Sequence, residues 1–88
     1  MTEPGRWVFS GRARRDFKRL DSPVQRRIAD ALDRLTDEQP TGDIVKLAGS
    51  DDEWRLRVGD WRVRFTRDRE RRVVQVLRVL PRGRAYRD

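Results

Sequence analysis

The chain has neither cysteine nor histidine. Without cysteine, disulfides and thiolate metal sites are excluded, and a reducing compartment is the simplest home. Without histidine, the commonest general base at neutral pH and the commonest metal ligand are both missing, so any catalysis must use other groups. Long apolar runs are absent too. The N-terminus MTEPGRW lacks the core of a signal peptide, and no stretch approaches the length needed to span a bilayer, which predicts a cytoplasmic protein with no membrane partner.

Lysine is scarce, with Lys18 and Lys46 the two present, so 20 of the 22 basic residues are arginines. Against 15 acidic residues this leaves a formal charge of +7, which points to a nucleic acid, an anionic surface or an acidic protein as partner. Apolar residues make up 35% and charged ones 42%, so the core must be modest, and the three tryptophans must supply much of its area. At 88 residues the chain is read as one domain, residues 1–88, with room for a single core.

The most ordered pattern is EWRLRVGDWRVRFTR, from Glu53 to Arg67. Apolar and basic residues alternate on both sides of Gly59-Asp60, the mark of two strands joined by a two-residue turn. Such a turn fixes the register: Val58 faces Trp61, Arg57 faces Arg62, Leu56 faces Val63 and Arg55 faces Arg64. One face then carries Trp54, Leu56, Val58, Trp61, Val63 and Phe65. The other carries Arg55, Arg57, Arg62 and Arg64, with nothing acidic among them. Like charges placed across from one another destabilise a sheet. A polyanion would offset that cost, because guanidinium forks bind phosphate oxygens in pairs and stay charged at physiological pH. The competing reading is a solvated strand face.

Elsewhere the periodicities give a coarse fold. Trp7 to Phe9 suits a first strand. Ala13, Phe17 and Leu20 fall at i, i+4 and i+7 and predict a helix over Arg12 to Leu20. Ser22-Pro23 predicts the start of a second, with Ser22 as cap and a stripe of Val24, Ile28, Ala31, Leu32 and Leu35. Ile44 to Leu47 predicts a short extended piece, and Asp51, Asp52 and Glu53 a solvated acidic loop unsuited to a metal, because adjacent loop carboxylates seldom converge on one ion. After a charged turn at Arg69 to Arg72, the run VVQVLRVL from Val73 to Leu80 predicts a central strand covered on both faces, ended by Pro81 and Gly83. The arginines of the helices, including Arg14, Arg15, Arg26 and Arg27, are expected on a solvated face. The order β-α-α-β-β-β defines an α+β domain, a mostly antiparallel sheet with a helical hairpin packed on one face.

That order, with KLAGSDDEWRLRVGDWRVRF and the ending VLRVLPRGRAYR, resembles the RelE/ParE superfamily of bacterial toxins, and within it the RelE-like ribonucleases. The similarity runs from Trp7 to Arg87 and is most specific at Lys46-Leu47 with Gly49, at Trp54 to Phe65, and at Arg82 to Tyr86. It implies a type II toxin: a ribosome-dependent endoribonuclease that cuts messenger RNA without metal or other cofactor, and is inhibited by a cognate antitoxin. Residue by residue, it places the catalytic roles on Arg55, Arg57, Arg62, Arg82 and Tyr86, and RNA contacts on Lys46, Arg64 and Arg84. Arg82 and Arg84 compete for one role, because the interval from Arg82 to Tyr86 is shorter than in the type member. ParE-like relatives share the fold, act on DNA gyrase and generally lack this basic and tyrosine set. A plain RNA-binding module is the third alternative.

Metal-free RNA cleavage requires activating a 2′-hydroxyl, stabilising a phosphorane and protonating the departing 5′-oxygen. Arginine suits the second task, so Arg62 and Arg82 are expected on the phosphate. It is a poor acid, which leaves the donor open among Arg55, Arg57, a ribosomal group and water. Tyr86 is the expected base, because neighbouring positive charge favours the phenolate. Trp54 and Trp61, on the apolar face, are expected in the core rather than stacked on bases.

Overall fold

A computed structural model describes residues 6–37, 42–47 and 52–83. Its elements follow in the expected order: β1 (Arg6–Phe9), α1 (Gly11–Lys18), α2 (Ser22–Leu35), β2 (Asp43–Lys46), β3 (Glu53–Val58), β4 (Trp61–Asp68) and β5 (Val73–Pro81). The strands form one five-stranded sheet in the order β1-β5-β4-β3-β2. β1 runs parallel to β5, and every other pair is antiparallel. The α+β architecture read from the pattern is the one observed.

Alternation decides which face is buried. Leu56 on β3, Val63 and Phe65 on β4, and Val74, Val76 and Val79 on β5 are all buried, and they pack with Ala13 of α1 and Ile28, Ala31, Leu32 and Leu35 of α2. The helices thus cover one face, held apart from water by apolar stripes at helical spacing. Trp7, Trp54 and Trp61 lie partly buried against this cluster, as the apolar face of the hairpin requires. Phe9 is wedged between Trp7 and Phe17, with ring centroids 5.2 and 4.8 Å away. The Trp7 indole N–H donates to Asp33 on α2 at 2.9 Å, and the Gln25 amide donates to the Phe17 carbonyl at 2.8 Å, which ties the two helices and β1 together.

β5 departs from its expected form. It lies inside the sheet, between β1 and β4, but one of its faces is only partly covered: Gln75 is exposed. A bulge between the pairs Arg64↔Arg78 and Phe65↔Val76 leaves Leu77 without a partner on β4 and reverses the alternation there. The apolar run therefore reflects a change of face along the strand, which a pattern search for a doubly covered strand misreads. At the bulge the chain leaving β1 turns into α1. The Ser10 N–H donates to the Val76 carbonyl at 2.8 Å, and its hydroxyl donates to the Leu77 carbonyl at 3.0 Å and accepts from the Ala13 N–H at 3.1 Å, capping α1. The second helix begins one residue earlier than the Ser-Pro signal indicates. Asp21 occupies the cap position without a side-chain hydrogen bond, and Pro23 sits inside the first turn, where its missing N–H is no loss.

One carboxylate fastens α1 to β5. Asp16 Oδ2 accepts from the Val79 N–H at 3.0 Å and from Arg78 Nε at 2.8 Å. Burial acts to raise its pKa, but the hydrogen bonds from Arg78 and Val79 and the charges of Arg78 and Arg12 outweigh it and hold the carboxyl below its usual range. A group whose pKa is lower in the folded state stabilises the fold above its unfolded value and loses that contribution as pH falls through its folded value. Asp16→Ala is therefore expected to reduce stability by about 2–4 kcal/mol at neutral pH, because it strands Arg78 and a strand N–H. In urea titrations, the wild type is expected to lose stability below about pH 4 more steeply than Asp16→Asn.

Candidate anion-binding face

The hairpin of β3 and β4 adopts the register the sequence dictates, including Arg57↔Arg62, Leu56↔Val63 and Arg55↔Arg64. Gly59 takes φ 57° while Asp60 stays out of the left-handed region, the arrangement that asks for glycine at the first turn position. Because Leu56 and Val63 face the helices, Arg55, Arg57, Arg62 and Arg64 stand on the opposite face, where Arg57 is exposed, Arg55 and Arg64 are half-buried and Arg62 is buried. β5 adds to the row: Arg78 is the partner of Arg64, so Arg55, Arg64 and Arg78 lie side by side on three adjacent strands, about 4.8 Å apart at the backbone.

This face is not free of acid, as the alternation alone implied. Arg64 donates to Glu53 at 2.8 Å, and Arg57 pairs with Asp43 across β2. Glu53 belongs to β3 and is half-buried, so it is a structural counter-ion and not part of a solvated loop. Asp52 is exposed, and Asp51 lies outside the described residues.

The expected site residues fall into distinct environments. Arg57 is exposed, with 58% of its side chain open to solvent, and Arg55 is half-buried beside it. Arg82 is exposed, and its backbone N–H donates to the Asp60 carbonyl at 2.9 Å, which brings the segment after β5 against the hairpin turn. Arg62 differs from expectation. It is 6% exposed, and its guanidinium donates to the carbonyls of Gly59 at 2.8 Å and Trp61 at 2.9 Å. Its strand partner Leu80 is also buried, so the cation is held in a poorly solvated place where backbone oxygens of the turn receive it. Arg62 thereby ties the two ends of the turn together. Lys46 is also not brought to the open face. Its Cα partner is Trp54, and its ammonium lies 5.8 Å from the centre of that indole on the helix side, with the Arg67 guanidinium 5.4 Å from the same ring. Arg84 and Tyr86 lie outside the described residues.

Sequence reasoning missed Arg78 and Asp16. Arg78 is the one charge within VVQVLRVL, and Asp16 the one acid between Glu3 and Asp21, so each stood out, but the bulge that makes them meet has no signature in the pattern. Arg15 is exposed, as expected of a solvated helix face, and with Arg12 it also lines a cleft of about 500 Å³ beside the start of α1, whose other walls include Glu53, Arg64, Leu77 and Arg78.

Fold and face together define a small α+β protein with a basic sheet surface, and comparison with known proteins places it among toxins. Residues 8–86 match the profile of the ParE toxin of type II toxin-antitoxin systems, so the chain belongs to that family, within the RelE/ParE superfamily. Among solved structures it is similar to the RelE-RelB complex of Pyrococcus horikoshii, at 28% identity and a TM-score of 0.76 over 94% of this chain and 100% of the other. The RelBE2 toxin-antitoxin complex of Mycobacterium tuberculosis gives 23% identity and a TM-score of 0.72, over 91% and 100% of the two chains. The isolated RelE toxin of E. coli gives 20% and 0.74, over 96% and 89%, a likeness of fold. No curated protein gives a significant match. Among the described residues no helix is long and apolar enough to cross a membrane.

Two substitutions separate the turn lock from the exposed cations. Arg62→Ala is expected to lower the unfolding free energy by about 2–4 kcal/mol, because it removes a buried side chain and its charged hydrogen bonds to the carbonyls of Gly59 and Trp61. Arg57→Ala is expected to change it by no more than about 0.5 kcal/mol, since an exposed ion pair contributes little. Equilibrium unfolding in urea at unchanged m checks both.

Proposed function

We propose that this chain is a toxin of the RelE kind, an endoribonuclease that cleaves messenger RNA on the ribosome and so stops translation. The observation that carries the reading is the row of guanidiniums across the open face, continued by the exposed Arg57 and Arg82 at the turn end. The 28% identity to a RelE chain over nearly its whole length supports it.

In this mechanism the 2′-oxygen attacks phosphorus, a phosphorane forms, and the bond to the 5′-oxygen breaks, leaving a 2′,3′-cyclic phosphate and a 5′-hydroxyl. Arg55, Arg57 and Arg82 hold the phosphate, and their charge-assisted hydrogen bonds strengthen as negative charge builds on its oxygens. Arg62 keeps the turn, and with it the Asp60 carbonyl that holds Arg82, in place. It acts on the reaction by position. Tyr86, the tyrosine that the resemblance assigns to the site, takes the 2′-hydroxyl proton. The proton for the 5′-oxygen comes from Arg55, Arg57, a ribosomal group or water.

The partner in the resting state is a cognate antitoxin, as in the RelE-RelB complexes that resemble this chain. Its segment has acidic and amphipathic parts. The acidic ones meet the arginines, and the apolar ones meet Val8 and Val45, which are exposed on the edge strands of the same face. A second reading has a specific observation in its favour: the matching profile is that of the ParE toxin, and the resemblance to ParE-like toxins implies action on DNA gyrase.

Controlled expression separates the two. Rapid arrest of bulk translation with new messenger 5′-ends supports the nuclease, whereas DNA breaks with continued translation would replace it with the gyrase poison. Tyr86→Phe is expected to slow cleavage by about 10²–10⁴-fold, and Arg57→Gln by about 10²-fold, with little change in thermal stability. Cleavage at the wild-type rate by Tyr86→Phe would remove the phenol from the mechanism.

A further inference from the structure

The cleft beside α1 lies off the proposed scissile site, on the far side of the arginine row. Its floor is sheet, with Arg64 and Arg78 on β4 and β5 fixed by Glu53 and Asp16 at 2.8 Å each. Its rim is helix, with Arg12 and Arg15 exposed and three residues apart, hence on one side of α1. Among the described residues that line it are four guanidiniums and one carboxylate, with Asp16 pairing Arg78 from α1. With Glu53 on Arg64 and Asp16 on Arg78, the four cations exceed the carboxylates by the exposed Arg12 and Arg15, and a concave, partly desolvated wall strengthens their field on an anion. A volume of about 500 Å³ accepts a phosphate with its ribose.

The cleft is also continuous with the open face. From Arg55 through Arg64 to Arg78 the cations advance one strand at a time, spanning about 10 Å in two steps. A ligand that carries one negative charge per backbone unit can follow such a track without leaving it, whereas acidic side chains on a peptide need not fall at that spacing.

We propose that this cleft is a second RNA subsite, which takes the backbone phosphate of a nucleotide flanking the scissile bond. Arg12 and Arg15 grip that phosphate from the helix, while Arg64 and Arg78, oriented by their carboxylates, receive it from the sheet. The subsite rests on the reading of the open face as an RNA site, and it makes α1 part of substrate recognition.

The test uses the full chain with 2′-O-methyl oligoribonucleotides of six and of two nucleotides, which lack the attacking hydroxyl, and follows fluorescence anisotropy through a salt series. Arg12→Gln/Arg15→Gln is expected to bind the hexamer about tenfold more weakly, with the slope of log affinity against log salt shallower by about 0.7–1.4, as loss of one or two phosphate contacts requires. Dinucleotide binding is expected to stay as in the wild type. Glu53→Gln, which removes a negative charge from the cleft but keeps an oxygen to accept from Arg64, is expected to bind the hexamer a few-fold more tightly. Both replacements in the double variant are at exposed positions, and an unchanged melting temperature verifies its fold. Wild-type affinity and slope in the double variant would overturn the subsite alone, as would weakened antitoxin binding with RNA binding intact. A wild-type chain that neither binds the hexamer nor arrests translation would overturn the RNA reading itself.

Discussion

Arg55, Arg64 and Arg78 stand shoulder to shoulder on three strands, and the rest of the molecule is arranged around that repulsion. Cross-strand pairs of like charge cost free energy, and here the row lies on the face that neither α1 nor α2 covers. The fold offsets the cost with carboxylates drawn from outside the row: Asp16 from α1 onto Arg78, Glu53 from the start of β3 onto Arg64, and on the neighbouring level Asp43 from β2 onto Arg57. Each carboxylate neutralises one cation and fixes its plane. The result is a surface that stays folded when empty yet keeps a surplus of oriented guanidiniums.

The same carboxylates carry structure into function. Asp16 does two jobs, closing the edge of β5 beyond the end of β1 and orienting Arg78, so the attachment of α1 and the electrostatics of the cleft depend on one side chain. At the other end of the sheet, Arg62 turns onto the carbonyls of its own hairpin, and the backbone of Arg82 closes onto Asp60. Two arginines adjacent in the pattern thus have different work. Arg57 is exposed and paired with Asp43, while Arg62 is buried and donates to the carbonyls of its own turn.

Much of this was legible from residues alone. Period-two alternation about Gly59-Asp60 gave the hairpin with its register, because a two-residue turn admits one pairing, and the helical stripes gave both helices to within a residue or two at their starts. What stayed hidden depended on contacts between distant segments. The bulge at Leu77 reversed the facing of VVQVLRVL and joined Arg78 to Asp16, 62 residues away. The pairing of Lys46 with Trp54, which sends the lysine to the helix side, follows from the register of β2, a strand too short to announce it. Glu53 sits at the boundary where an acidic run becomes a strand, so the pattern reads it both as loop and as the first residue of the hairpin, and the structure puts it in β3. The burial of Arg62 beside Leu80 was beyond reach, since nothing in an alternating pattern tells one arginine of an open face from its neighbour.

The arginine side-chain N–H resonances of the wild-type protein, followed by NMR during titration with a non-cleavable 2′-O-methyl oligoribonucleotide, test most directly whether the open face holds RNA. Shifts concentrated on Arg55, Arg57, Arg64, Arg78 and Arg82, with Arg14, Arg26 and Arg27 on the helices unmoved, are the expected result. Shifts confined to the helix arginines, or none at concentrations where the RNA is bound, would contradict it.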